Sequence, residues 1–148
     1  MRLVSVWLLA SAITLGLAGA AFVRLAPLDP AVWHVDPATV TAPDTRNSAL
    51  VSLSRVFPMT AAELAGRLAA VGLAEPGTRV LAGDAAAGFV TLVQRSRVVG
   101  FPDLVTVKAR DVEGGAALTI WSRSRFGGYD WGVNGARVGR WIAALGKA

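Results

Sequence analysis

The chain has 148 residues, a hydrophobic fraction of 53%, a formal net charge of +5 and no cysteine. This length has room for one domain and a short leading segment. The lack of cysteine excludes disulfides, zinc–thiolate sites and a cysteine nucleophile, and it is compatible with any compartment.

The chain begins with an uninterrupted apolar run. Residues 3–23 carry no charged side chain and are bounded by Arg2 and Arg24. As a helix the run is about 30 Å long, which matches the hydrocarbon core of a bilayer. We therefore expect residues 1–24 to be a transmembrane anchor that binds the membrane through residues 3–23. The alternatives are a signal segment cut after Ala18-Gly19-Ala20, which would leave a secreted domain, and a buried helix of a soluble protein.

The position of this run also bears on localisation. A long domain that follows a short amino tail is exported largely regardless of its charge. We therefore expect a single-pass protein of the cell envelope, whose carboxyl-terminal domain is periplasmic or extracellular.

Residues 25–48 contain four of the seven prolines and have no helical period. Proline removes a backbone donor and restricts the residue before it, so the segment is predicted to be a stiff, extended linker. We expect Trp33 to lie at the membrane interface or to pack on the domain. His34 has no sequence neighbour that would orient it for catalysis.

Residues 49–148 are predicted to form the domain. Thr60 and Glu63 have the spacing of a capping box at the start of an amphipathic helix. The period then changes to two in four strand-like runs with short connections, "TRVLAG", "FVTLVQRSR", "LVTVKARDV" and "AALTIWSRS". A second amphipathic helix closes the chain. These patterns predict an α+β fold, a four-stranded antiparallel meander with two helices packed on one face.

Alternation along the strands assigns the charged side chains to one face of the sheet. If the helices cover the aliphatic side, the open side is basic and contains one aromatic residue. Its members are Arg95, Lys108, Arg110, Trp121 and Arg123. The charge distribution agrees, since residues 25–94 hold four arginines and six acids (−2), and residues 95–148 hold nine basic residues and four acids (+5). We expect an anionic partner or a solvated basic face.

The stretch "WSRSRFGGYDWGVNG" at 121–135 is the most distinctive part of the chain. Its Arg-Ser-Arg recurs at residues 95–97, also at a strand end, but strand ends need not lie at the same sheet edge. Asn134 is predicted to cap the last helix, and a glycine-rich turn before a helix amino terminus can hold an anion. The candidate anion-binding residues are Arg95, Arg97, Asp103, Arg123, Arg125, Asp130 and Asn134. The alternative is that each aspartate neutralises a nearby arginine and shapes a turn.

In these residues the sequence resembles the family of domains of unknown function 1499. The resemblance covers roughly residues 45–146 and rests on "GFPD", on Ser122-Arg123-Ser124-Arg125 followed by Gly127, Asp130, Gly132 and Asn134, and on Arg137. Relatives often have a cysteine-containing segment near the domain start, where this chain has "RNSALVS". The resemblance implies the fold and an accompanying membrane segment, and it leaves the activity open.

Three functions remain open. The first is a membrane-tethered binding or scaffolding module for an anionic lipid, glycan or phosphate. The second is a hydrolytic or phosphate-handling enzyme that uses the 122–134 loop, with Asp130 as base and Ser122 or Ser124 as nucleophile. The third is a structural protein that binds another envelope protein. The domain has no histidine and no metal-ligand spacing, so we expect no metal and no cofactor, and the anchor argues against nucleic acid.

Overall fold

The computed structural model describes residues 2–41 and 45–146. Its helices are α1 (Arg2–Leu25), α2 (Pro30–Trp33), α3 (Ala61–Leu73) and α4 (Val133–Leu145), and Ala85–Ala87 form a 3₁₀ turn. Its strands are β1 (Ser48–Phe57), β2 (Thr78–Asp84), β3 (Phe89–Arg95), β4 (Pro102–Val112) and β5 (Gly115–Ser124). The α+β class is thus confirmed.

The sheet has five antiparallel strands in the order β1-β5-β4-β3-β2, so the prediction of four strands is wrong. Strands β2 to β5 form the predicted meander. The additional strand, β1, pairs with β5 and places Val51 opposite Ile120. Its inward side chains Ala49, Val51 and Leu53 pack against the core, while most of the others are exposed, which is the alternation of an edge strand.

Helices α3 and α4 cover one face of the sheet, as predicted. Thr60 begins α3 by accepting a hydrogen bond from the Glu63 amide at 3.2 Å. Leu64 and Leu68 of α3 and Trp141 of α4 are fully buried against the aliphatic face of the sheet. Burying such side chains stabilises the fold by about 1.5–3 kcal/mol each.

The opposite face of the sheet is not open. The segment 26–40 lies across it, so the prediction of a solvated basic face is wrong for the residues at its centre. Asp29 caps the short helix α2, the His34 ring stacks on Phe89 with centroids 3.9 Å apart, and His34 Nδ1 lies 2.8 Å from Thr91 Oγ1. Pro37 is buried. We call residues 26–40 the arm.

Among the described residues one helix is long and apolar enough to cross a membrane, namely Ser5–Leu25 with a mean hydropathy of 2.0. Length and composition alone do not distinguish an anchor from a signal sequence. Almost all of this span is exposed, and its carboxyl-terminal end contacts the domain through Phe22 and Arg24. The helix therefore projects away from the sheet.

Candidate functional site

Two loops meet where α1 joins the domain. Strands β3 and β5 both pair with β4 in antiparallel register, so they run in the same direction and end at the same edge of the sheet. The two Arg-Ser-Arg segments therefore lie at one edge. The loops that follow them, residues 96–101 and 125–132, also lie there, and Phe101 approaches Phe126 with ring centroids 6.3 Å apart.

A small cationic pocket of about 240 Å³ lies in this region. We call it the arginine pocket, and its lining residues are Arg24, Pro76, Gly77, Arg95, Ser96, Arg97 and Gly100. Ser96 Oγ accepts hydrogen bonds from the amides of Gly100 and Phe101 at 3.1 and 3.0 Å, so its own proton is available to a ligand. A volume near the lower limit of small-molecule sites suits a head group better than a large ligand.

Most of the arginines around this pocket donate to backbone carbonyl groups. Arg24 donates to the carbonyl oxygens of residues 98 and 99, Arg95 to that of residue 100, and Arg125 to that of residue 27. A carbonyl group is a dipole without net charge, so these hydrogen bonds do not cancel the positive charge of the guanidinium groups. Within residues 2–41 and 45–146 these arginines, Arg79 and Arg97 form no ion pair with a carboxylate. Burial lowers the pKa of Arg95, and the charges of Arg79, Arg125 and Arg24 lower it further.

Arg123 has a different role from the one predicted. It is 7% exposed and lies between Trp33 and Trp121, with its guanidinium carbon 3.6 Å from the Trp121 ring centroid. Arg123 Nη2 donates to the Trp33 carbonyl oxygen at 2.6 Å. Burial lowers the pKa of Arg123 to about 10. This arginine holds the arm on the sheet and lies outside the arginine pocket.

Arg137, which sequence reasoning noted only as part of the family pattern, is the centre of a buried polar network beneath α4. It donates to Asp103 Oδ2 at 2.7 Å, to Gln94 Oε1 at 2.7 Å and to Asn134 Oδ1 at 2.8 Å. Its guanidinium also donates to Ser122 Oγ at 3.0 Å. The candidate Asp103 is therefore ion-paired with Arg137, and it does not line the arginine pocket.

The network continues to Glu75 at the end of α3. Glu75 accepts hydrogen bonds from Trp141 Nε1 at 2.9 Å and from the Gln94 side chain. Burial alone would raise the pKa of Glu75, but the hydrogen bonds from Trp141 and Gln94 and the charge of Arg140 outweigh it, and the pKa is lowered. The network joins both helices to the sheet edge.

The N-cap residue of α4 is Gly132, and the side chain that bonds the first amides is Asp130, so the predicted Asn134 cap is wrong. Asp130 Oδ1 accepts from the Gly132 amide and Oδ2 from the Asn134 amide, both at 2.9 Å. Gly132 takes a left-handed conformation, φ 78°, at the helix start. The carboxylate thus occupies the position in which a glycine-rich turn could hold an external anion. Burial would raise the pKa of Asp130, but these amide bonds lower it overall.

Asn134 and Ser122 lie inside the network, whereas Ser124 is half-buried at its border and lines a separate surface pocket with Asp130. Asn134 is fully buried and donates to Asp130 Oδ2, to Ser124 Oγ and to the Asn47 carbonyl oxygen. Ser122 is also fully buried and donates to Asn134 Oδ1. A buried hydroxyl that is held by an amide, beside a carboxylate of lowered pKa, is poorly arranged for nucleophilic attack. No group of three or more potential metal ligands occurs in the described parts of the chain.

These features define the chain as an α+β domain with one five-stranded antiparallel sheet, a buried arginine–aspartate–asparagine network and a preceding apolar helix. The chain belongs to the DUF1499 family of proteins of unknown function, whose model matches residues 30–145. The resemblance proposed from the sequence is thus confirmed. The match begins in the arm, earlier than the residue 45 expected from the motifs.

Two further comparisons are less informative. No curated protein matches the chain. A crystal structure of a DUF4468 family protein from Bacteroides ovatus is similar to this chain with 16% identity, over 70% of this chain and 68% of that one, and a TM-score of 0.35. At this TM-score the likeness supports no statement about function.

Proposed function

We propose that the chain is a membrane-tethered binding module whose arginine pocket holds an anionic, phosphate-bearing group. The observation that carries the proposal is the cluster of arginines at the end of α1 that lack carboxylate partners. Arginine presents a planar fork of donors that matches phosphate oxygens, and it stays charged at any physiological pH.

The position of the pocket suits a ligand at the membrane surface. Arg24 belongs to the last turn of α1 and lines the pocket together with Arg95 and Arg97. If α1 is retained as an anchor, the pocket lies at the level of the lipid head groups. A basic residue near an anionic surface contributes about 1 kcal/mol, so the cluster would favour an anionic over a zwitterionic surface.

The geometry favours binding over catalysis. Both oxygens of the Asp130 carboxylate accept hydrogen bonds from amide groups, and its lowered pKa makes it a weak base. The arginine pocket contains neither candidate serine, since Ser122 is buried beneath α4 and Ser124 is not among the lining residues.

The proposal is tested with the full chain in micelles of an uncharged detergent. Short-chain phosphatidylglycerol, short-chain phosphatidylcholine and inorganic phosphate are titrated separately and followed by calorimetry. We expect phosphatidylglycerol to bind and phosphatidylcholine to bind much more weakly. Binding of inorganic phosphate with equal affinity would identify a free phosphate compound as the ligand, and its failure to bind would identify a lipid head group.

Arg97→Gln is the informative variant, because Arg97 is exposed and lines the pocket. Loss of about 1 kcal/mol should weaken binding about fivefold. Arg110→Gln is the matched control, since Arg110 is exposed near the other end of β4. The proposal is wrong if neither phosphatidylglycerol nor phosphate binds, or if the two variants weaken binding equally.

A further inference from the structure

Outside α1, the most exposed large apolar side chains of the described residues lie on the same two loops. Val98 and Trp131 are each 84% exposed, Tyr129 is 52% exposed and Phe101 is 42% exposed. With Val133 at the start of α4, 46% exposed, they form what we call the apolar loop face. Scattered exposed apolar residues are ordinary, but a cluster of large ones marks an interaction surface.

Trp131 has an additional feature. With φ at 56° it is the one non-glycine residue with positive φ among the described residues. A bulky residue rarely adopts this conformation, and such strain persists only where neighbouring structure enforces it. The Asp130 cap supplies that constraint, because Asp130 bonds the amides of Gly132 and Val133 on the far side of Trp131. The indole is thereby held in solvent, edge-on to Tyr129 with ring centroids 4.9 Å apart.

The apolar loop face is continuous with the end of α1. Phe22 of α1 lies against Phe126, with ring centroids 6.1 Å apart, and Phe126 in turn lies against Phe101. The Arg24 side chain holds the 98–99 backbone with hydrogen bonds of 2.6 and 3.0 Å. The loops are therefore fixed at the point where the apolar helix ends.

We infer that the apolar loop face inserts into the interface of the bilayer that α1 spans, and so fixes the orientation of the domain on the membrane. Tryptophan and tyrosine concentrate at this level of membrane proteins, where one end of the ring is apolar and the other is hydrated. The arginines beside the face carry a positive charge that suits anionic head groups. This inference rests on the retained anchor of the proposed function, and it does not require the arginine pocket to bind an anion.

The absence of cysteine allows a direct test with the full chain. Val98→Cys and Glu113→Cys, each labelled with an environment-sensitive fluorophore, are reconstituted in vesicles of phosphatidylcholine alone and in an equal mixture with phosphatidylglycerol. Both sites are exposed, and Glu113 lies beyond the far end of β4, a strand of 11 residues. That strand is about 36 Å long, so the second label lies far from the apolar loop face and serves as the control. Intact-protein mass spectrometry verifies that α1 is present.

We expect nitroxide-bearing lipids to quench the label at residue 98 in both lipid compositions and to leave the label at residue 113 unquenched. Equal quenching at the two sites, in either lipid, would overturn the inference. A dependence of quenching on phosphatidylglycerol alone would also overturn it, because the face would then be held by charge. The two proposals fail in different experiments. If the arginine pocket binds no anion, the titrations in micelles show no binding, but the quenching of the label at residue 98 is unchanged.

Trp131→Gly separates a membrane role from a structural one. Glycine adopts positive φ without strain, so the variant should unfold at the same or a higher urea concentration than the parent chain in detergent. The same variant should lower the quenching of the label at residue 98. A large loss of stability together with unchanged quenching would show that Trp131 serves only the fold.

Discussion

Replacing Arg137 with methionine removes the charged centre of the network beneath α4. Arg137 is 4% exposed, and its ion-pair partner Asp103 has a side chain that is 15% exposed. Removing one member of a buried ion pair costs about 3–5 kcal/mol, because the other charge is left without compensation. The partial exposure of Asp103 places the expected loss near the lower end, about 3 kcal/mol.

The loss is measured by urea unfolding of the full chain in detergent micelles, followed by tryptophan fluorescence and circular dichroism. With a slope of about 1–3 kcal/mol per molar urea, the midpoint should fall by about 1–3 M. Asp103→Asn in the Arg137→Met background removes the stranded carboxylate. The double variant should therefore be more stable than the sum of the two single losses predicts, by about 2 kcal/mol.

Arg140→Met is the control for this cycle. Arg140 lies one turn away on α4, its side chain is 59% exposed, and it lies 3.4 Å from Glu75. Its removal should cost less than about 1 kcal/mol. Equal losses for Arg137→Met and Arg140→Met, or strictly additive losses in the cycle, would refute the assignment of Arg137 as the centre of the network.

Two further predictions concern the arm and the helix cap. Burial and the charge of Lys108 lower the pKa of His34, so its contribution to stability is present above about pH 6.5 and is lost as the pH falls through the lowered pKa. The urea midpoint of the parent chain should therefore fall in this range, and that of His34→Gln should fall less; identical pH profiles would contradict the prediction. Asp130→Ala removes the side chain that bonds two amides at the start of α4 and should cost about 1–2 kcal/mol in urea unfolding, whereas an unchanged midpoint would show that the cap is dispensable.

The local patterns of the domain could be predicted from the sequence, because they arise from neighbouring residues. The Thr60 cap, the helical stripes and the alternation in β2–β5 all have this origin. Strand β1 also alternates, through Ala49, Val51 and Leu53, but polar residues interrupt its apolar pattern, and no strand was predicted in this part of the domain. That signal was available and was missed.

The position of the arm depends on contacts between residues far apart in the chain. His34 is hydrogen-bonded to Thr91, which lies 57 residues away in the chain, and Arg123 donates to the Trp33 carbonyl oxygen, which lies 90 residues away. Contacts of this kind do not produce a repeating pattern of apolar residues in the arm, so its sequence did not predict where it packs. One indirect signal existed, since Val93 and Leu104 are apolar residues on the supposedly open face and both are fully buried. Apolar residues on both faces of a strand indicate that both faces are covered.

The contacts of the Arg-Ser-Arg segments explain why so much charge is concentrated at this edge. Arg95 donates to the carbonyl oxygen of Val23 in α1, Arg125 to that of Pro27 just after α1, and Arg123 to that of Trp33 in α2. These bonds fasten the domain to the chain that leaves the apolar helix, so the domain is not suspended on a flexible linker. A pocket fixed in this way stays next to the end of α1. If that helix spans a bilayer, the unpaired charge of Arg97 meets ligands that are themselves at the membrane surface, which is why lipid head groups are the first class to test.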